Sequence, residues 1–358
     1  MNQNAPAVDD DAAARKLRLP WGAMLACCLL LAFEFGVARA DWFWGWIPYS
    51  QVGVIDALEE QVIPESKPLV LFTGSSRVRD AISPRTLERS LKLPEGSVLN
   101  LGLTMGTPFD TEILYLRNRD KLSQAKLVFF GVEPFQLDYH NRPTERILRY
   151  GTLRDRLKLM NENDAAYRVA GYFWRTLDTG PAMQRFIKSW FKAQPDLPPI
   201  APDGRVQWRT ETDNKFAQRR RAPADAQRFF YRWRYSPNRQ RKLRELIELL
   251  EEDGMTVVVF QVPARDRFWS FAHKKYPKKI KSYSTHVREA SAGHEVFLFW
   301  DGKDHGLRAR NFYDYGHLKP EPARRFTRKM GALIKKHYPE LLEDMRSQAK
   351  AGSDENAG

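Results

Sequence analysis

The chain has 358 residues and carries 58 Lys and Arg against 44 Asp and Glu, a net charge of +14. With 42% apolar and 12% aromatic residues it can bury a sizeable core, which excludes an intrinsically disordered chain. Its 2 cysteines, the adjacent Cys27 and Cys28, exclude a disulfide scaffold and a Cys-rich zinc module.

In chain order, a short N-terminus (residues 1–18) carries Arg15, Lys16 and Arg18 and leads into an apolar run from Leu19 to Ala38 interrupted only by Glu34. The run is about long enough to span a bilayer as a helix. Cations on its N-terminal side predict a cytoplasmic N-terminus and an exported body. Trp42, Trp44, Trp46 and Tyr49 follow where aromatic rings favour the membrane interface. The reading is a single-pass inner-membrane anchor over 19–38 with the body on the periplasmic or extracellular side. The alternative is a signal sequence cleaved at the small-x-small motif Ala38-Arg39-Ala40, which leaves a secreted protein.

The body alternates strand and helix signals. PLVLFT (Pro68–Thr73), SVLNL (Ser97–Leu101) and KLVFFG (Lys126–Gly131) read as buried strands. Ser83-Pro84 and Thr107-Pro108 read as helix starts, each a capping residue followed by proline at the first helical position. Residues 41–140 thus form a first core half and 141–237 break the alternation. After them come a helix (Asn238–Glu252), strands at Thr256–Val262 and Glu295–Trp300, and a closing helix (Pro320–His337) in a second core half, 238–340. The last segment, 341–358, reads as a tail, with a small polar, disordered end from Gln348. Near-continuous apolar strands separated by helices predict an α/β, three-layer fold with a parallel sheet covered on both faces.

The charge is concentrated. Residues 141–240 hold 21 Lys and Arg against 10 Asp and Glu, an excess of 11. With Trp174, Trp190, Trp208 and Trp233 and a Pro-rich stretch, this block reads as an inserted basic, aromatic-rich lid. Basicity of an exported body points to acidic glycans or anionic lipid rather than nucleic acid. Within the lid, the run Arg228 to Arg234 pairs aromatic faces with guanidinium groups, so Arg232 and Trp233 are candidates for sugar or membrane contact.

In parallel α/β sheets the reactive groups gather at the carboxyl ends of the strands. There the first strand runs into Gly74-Ser75-Ser76-Arg77, and Asp314-Tyr315-Gly316-His317 precedes the closing helix. An Asp and a His three apart can meet through Nδ1, which aims Nε2 at a hydroxyl. Asp304-His305 is a competing pair, Asp301 could orient the site or cap a turn, and His140 is a possible site neighbour. The remaining histidines lack metal-ligand spacing, so neither metal nor cofactor is expected.

A Gly-x-Ser block, a glycine after the second strand (Gly102) and a terminal Asp-x-x-His-Leu together resemble the SGNH (GDSL-type) hydrolase superfamily. The form Gly74-Ser75-Ser76-Arg77 behind an N-terminal anchor resembles its exported acyltransferase-like branch, which includes the teichoic-acid D-alanyl transfer proteins and alginate O-acetyltransferases. The resemblance covers roughly 68–138 and 238–337. It implies a flavodoxin-like five-stranded parallel sheet, Ser76 as nucleophile, His317 as general base and Asp314 as its partner, with the Ser76 and Gly102 N–H groups as oxyanion donors. Arg77 falls among the implied substrate neighbours. The activity implied is O-acyl transfer or ester hydrolysis on an envelope or exported polysaccharide, with a membrane acyl-donor protein as partner. One departure stands out: the third block, which usually supplies an Asn, reads Gly131-Val132-Glu133-Pro134, and an ionised carboxylate cannot donate to an oxyanion. The alternative reading is therefore a weakly active or inactive glycan-binding scaffold.

Overall fold

The computed structural model describes residues 21–40, 43–44, 51–159, 165–178, 183–184, 187, 200–204, 215–291, 293–299 and 302–354. Arg15, Lys16, Arg18, Trp42, Trp46, Tyr49, Trp190, Trp208 and Asp301 lie outside them. The apolar runs form strands β1 (Val70–Ser75), β2 (Val98–Leu103), β3 (Leu127–Val132), β4 (Thr256–Gln261) and β5 (Val296–Phe297). They pair in the order β2-β1-β3-β4-β5, all parallel, which is the flavodoxin-like order with its switch point between β1 and β3. The fifth strand is shorter than the run Glu295–Trp300 predicts, because only Val296 and Phe297 pair with β4.

The α-helices, in chain order, are α1 (Trp21–Phe33), α2 (Gln51–Gln61), α3 (Ser76–Ala81), α4 (Pro84–Leu91), α5 (Pro108–Arg117), α6 (Arg119–Leu122), α7 (Glu145–Tyr150), α8 (Leu153–Lys158), α9 (Ala165–Phe173) and α10 (Lys215–Phe230). They continue with α11 (Pro237–Glu252), α12 (Asp266–Lys275), α13 (Pro277–Ala290), α14 (Gly302–His305), α15 (Pro320–His337) and α16 (Pro339–Asp354).

Strand side chains alternate between two buried layers, as the period of two requires. Val70, Phe72, Phe129, Val258 and Phe260 cluster with Leu87 of α4 and with Phe326, Met330 and Ile334 of α15. The Phe72 and Phe129 rings stack at 4.7 Å, with Phe260 edge-on at 6.3 and 6.2 Å. Each such pair contributes about 0.5–1.5 kcal/mol beyond its buried area. Leu71, Val128, Phe130, Val257 and Val259 face the other way, toward α2, α5 and α11–α13. Helices on both faces make three layers.

The described part of the insertion consists of helices joined by irregular stretches, and it is pinned to the core: buried Arg146 donates to Asp110 Oδ1 at 2.9 Å and to the Thr104 carbonyl at 2.7 Å. One region differs from expectation. The tail expected to be disordered from Gln348 is helical through Asp354. Leu342 and Met345 at helical spacing are buried, and Arg346 donates to the Leu91 carbonyl at 2.7 Å.

Near the N-terminus, Trp21–Ala38 forms an apolar helix of mean hydropathy 1.9, long enough to be a membrane anchor or a signal sequence. Its last turn, Glu34–Ala38, is π-helical. Glu34 there is fully buried. It accepts hydrogen bonds from Arg39 Nε (2.9 Å), the Arg175 and Thr176 N–H groups (2.9 and 2.7 Å) and Thr176 Oγ1 (2.7 Å). The apolar helix therefore ends in a joint with the inserted region.

Candidate active site

Three glycines in register, Gly102, Gly74 and Gly131, cross the carboxyl ends of β2, β1 and β3. They let α3 lie directly on the sheet. A Cβ on Gly131 would stand 2.1 Å from Val78 Cγ2, and one on Gly102 would stand 2.5 Å from the Arg79 backbone N. Gly74 also has φ +133, a backbone L side chains rarely adopt, and its Cβ would meet the Gly131 carbonyl at 2.6 Å. β1 then ends on Ser75, the N-cap of α3, whose Oγ accepts from the Arg77 N–H at 3.1 Å. Ser76 is the first helical residue. Its backbone N–H belongs to the first turn, where intrahelical bonds leave N–H groups available.

On the other side of the site, residues 312–318 form a tight loop closed by an antiparallel bridge between Phe312 and Leu318. Arg265 secures it: its backbone N–H donates to the Tyr315 carbonyl at 2.8 Å and its guanidinium to the Phe312 carbonyl at 3.0 Å. Asp314 Oδ1 accepts the N–H groups of Gly316 and His317, both at 2.9 Å, and Oδ2 lies 2.7 Å from His317 Nδ1. His317 Nε2 lies 2.8 Å from Ser76 Oγ. Ser76, His317 and Asp314 thus form one hydrogen-bonded line, although 241 positions separate the serine from the histidine. The line is accessible, with the His317 and Asp314 side chains 14% and 26% exposed.

The electrostatics set the tautomer. Burial works against the Asp314 charge, but the His317 ring and the two backbone N–H groups outweigh it and hold the carboxyl far below the usual carboxylate range. An ionised Asp314 accepts a proton-bearing Nδ1, which leaves Nε2 as an acceptor for the Ser76 hydroxyl. Such a line can take the serine proton as Oγ attacks an acyl carbon and return it to a leaving alcohol.

Arg77 and Glu133 act differently from expectation. Arg77 is 2% exposed, so it does not face a substrate. It bonds to Glu133 Oε2 at 2.5 Å, to the Val262 and Pro263 carbonyls at 2.7 and 2.8 Å and to the Gly316 carbonyl at 3.4 Å. Burial opposes its charge, but Glu133 beside it more than compensates and holds the guanidinium above its usual value. Glu133 also accepts from Ser75 Oγ. The carboxylate that replaces the expected Asn therefore turns inward and clamps the two segments that carry Ser76 and His317. Gly316 makes room for the clamp, since a Cβ there would lie 2.3 Å from Arg77 Nε. Opposite charges after two adjacent strands were the only sequence signal for this pair.

Gly102 also needs correction. Its N–H donates to Asn100 Oδ1 at 3.2 Å instead of pointing at an oxyanion; the residue serves the close approach of α3. Trp233 is 5% exposed, and its indole N–H donates to the Pro134 carbonyl at 2.8 Å, so it is a wall residue and not a stacking platform. Arg232 and His140 are exposed, and His140 packs edge-on to Tyr139 at 5.4 Å. His305 of the competing pair is buried, and its Nδ1 accepts from the Leu307 N–H at 3.1 Å. Among the described residues no group of three or more His, Cys, Asp or Glu could hold a metal ion.

The fold and the geometry define a Ser-His-Asp line at the switch-point edge of a flavodoxin-like sheet. Neither a family model nor a curated protein matches the chain.

Proposed function

We propose that the chain is a membrane-anchored serine acyltransferase or esterase of the SGNH type, acting on O-acyl groups of a cell-envelope or exported polysaccharide. The observation that carries this reading is the 2.8 Å approach of His317 Nε2 to Ser76 Oγ with Asp314 behind the ring. Ser76 Oγ attacks the ester carbonyl as its proton passes to His317. His317 then protonates the departing alcohol, and a sugar hydroxyl or water releases the acyl group from Ser76. The Ser76 N–H is the donor best situated for the oxyanion. A scaffold role is the second reading, supported by the engagement of the Gly102 N–H and by Glu133 where an Asn donor is expected. The test is fluorophosphonate labelling of the full chain in detergent. Labelling is expected in the wild type and lost in Ser76→Ala and His317→Ala. Equal labelling of Ser76→Ala, or none of the wild type, would favour the scaffold.

For localisation, the Glu34 joint supports a retained anchor over a cleaved signal. Cleavage after Ala40 would remove Glu34 and leave the partly buried Arg175 and Thr176 N–H groups without this acceptor. The cations before the span support a body outside the cytoplasm. Intact-mass spectrometry of the membrane-extracted protein should find residues 21–38 still attached. A mature chain starting at Asp41 would refute the anchor.

A further inference from the structure

Helix α11 runs antiparallel to the strands into β4, so its N-terminus opens on the same sheet edge as Ser76 and His317. The two places are joined by packed side chains. Phe229 lies 5.3 Å from Tyr315 and 6.4 Å from Phe135, and Trp233 is bonded to the Pro134 carbonyl. At the start of α11 is a cavity of about 110 Å³ lined by Tyr139, Lys158, Leu159, Ser236, Asn238 and Arg239, with Pro237 at the helix start.

Two features of this cavity and one beside it call for an acceptor. Arg239 is 2% exposed, and its Nη1 has no hydrogen-bond partner among the described residues, whereas Nη2 donates to the Asn141 carbonyl. Next to the cavity wall, Asn141 Nδ2 is a second buried donor without a partner among the described residues. Ser236 stands at the N-cap, yet its side chain makes no capping bond, so it does not satisfy the first N–H groups of a 16-residue helix. The acids nearby are committed elsewhere. Asp138 Oδ1 accepts the His140 and Arg234 N–H groups at 3.2 and 3.1 Å, and Asp110 pairs with Arg146 at 2.9 Å. Lys158 at the cavity wall is bonded to both oxygens of Glu245 at 2.7 and 2.6 Å, which leaves Arg239 as the principal cation. Burial, incompletely offset by Asp138 and Asp110, lowers its guanidinium to about 10. A bound anion would relieve that burial cost.

We propose that this cavity binds an oxyanion group, a carboxylate or a phosphate, carried by the polymer that the Ser76 site acts on. Its placement on the active edge rests on the acyltransferase reading; the anion site itself does not. It would select acidic strands and hold them beside Ser76.

The test is binding without turnover, measured by calorimetry with the full chain carrying Ser76→Ala. The probes are glucuronate, inorganic phosphate and neutral glucose. Glucuronate or phosphate is expected to bind and glucose not to, and the better of the two identifies the anion source. Arg239→Gln should weaken binding at least about tenfold, the value of one charge-assisted hydrogen bond. Asn238→Asp, which keeps the buried arginine and adds a negative charge at the mouth, should weaken it similarly and covers the case in which Arg239→Gln fails to fold. Absence of anion binding, equal binding of glucose, or unchanged binding in a folded Arg239→Gln or Asn238→Asp would overturn the proposal. Because no step uses Ser76, loss of the acyltransferase reading would leave this result standing, and the converse holds too.

Discussion

Asp314→Asn is expected to lower turnover of an activated ester such as 4-nitrophenyl acetate by about 10⁴-fold while leaving the fold intact. The amide keeps an oxygen for the Gly316 and His317 N–H groups, so the loop is held as before. Its NH₂, however, faces Nδ1 as a donor, which moves the ring proton to Nε2 and removes the acceptor that faces Ser76. A loss of less than about tenfold would show that the line does not act as a base and its orienter. The depressed Asp314 carboxyl has a second consequence. A carboxyl lowered on folding stabilises the native state above its unfolded value of about 3.9, and this contribution falls away as pH drops below that value. The stability gap between wild type and Asp314→Asn should therefore shrink on acidification from pH 7 to pH 3, as measured by urea denaturation.

Glu133→Ala should destabilise the fold by about 3–5 kcal/mol, because it leaves the Arg77 guanidinium buried without its countercharge. Activity should fall as well, since Glu133 holds Ser75 and Arg77, and through Arg77 the loop that ends in His317. Replacing both charges, as in Glu133→Leu with Arg77→Met, should recover much of the stability, because an apolar pair avoids the desolvation cost. It should not recover the activity, since the bond from Arg77 to the Gly316 carbonyl is gone. Denaturation midpoints and ester turnover on the same preparations separate the two effects. A loss below about 1 kcal/mol for Glu133→Ala would mean that the Val262, Pro263 and Gly316 carbonyls suffice to hold Arg77.

The strands were legible because an apolar run bounded by glycine has few other uses, and α15 follows its predicted limits, Pro320 to His337, because proline starts it and the apolar spacing sustains it. The C-terminal helix was missed because its polar residues resemble a tail, whereas its stability comes from Leu342 and Met345 against the core. Trp233 and Arg77 were misplaced for a related reason: residue type alone does not distinguish a ligand-facing aromatic or arginine from one enclosed by its own neighbours. Gly102 was assigned to an oxyanion although its missing side chain answers to the helix above it.

The opening charge can now be divided as well. The excess in residues 141–240 includes Arg146, Arg156 and Arg239, which are buried, so part of the basicity is internal, whereas Arg232 meets solvent. Sequence by itself determined the features that depend on neighbours in the chain: strand runs, capped helix starts, the apolar N-terminal helix and the Asp-x-x-His spacing. Tertiary structure decided everything that depends on pairing across distance. That includes the meeting of Ser76 with His317, the turn of Glu133 toward Arg77, and the closure of Glu34 on Arg175 and Thr176. Those contacts arise from the stacking of layers, and a local pattern carries no record of which distant group a side chain will meet.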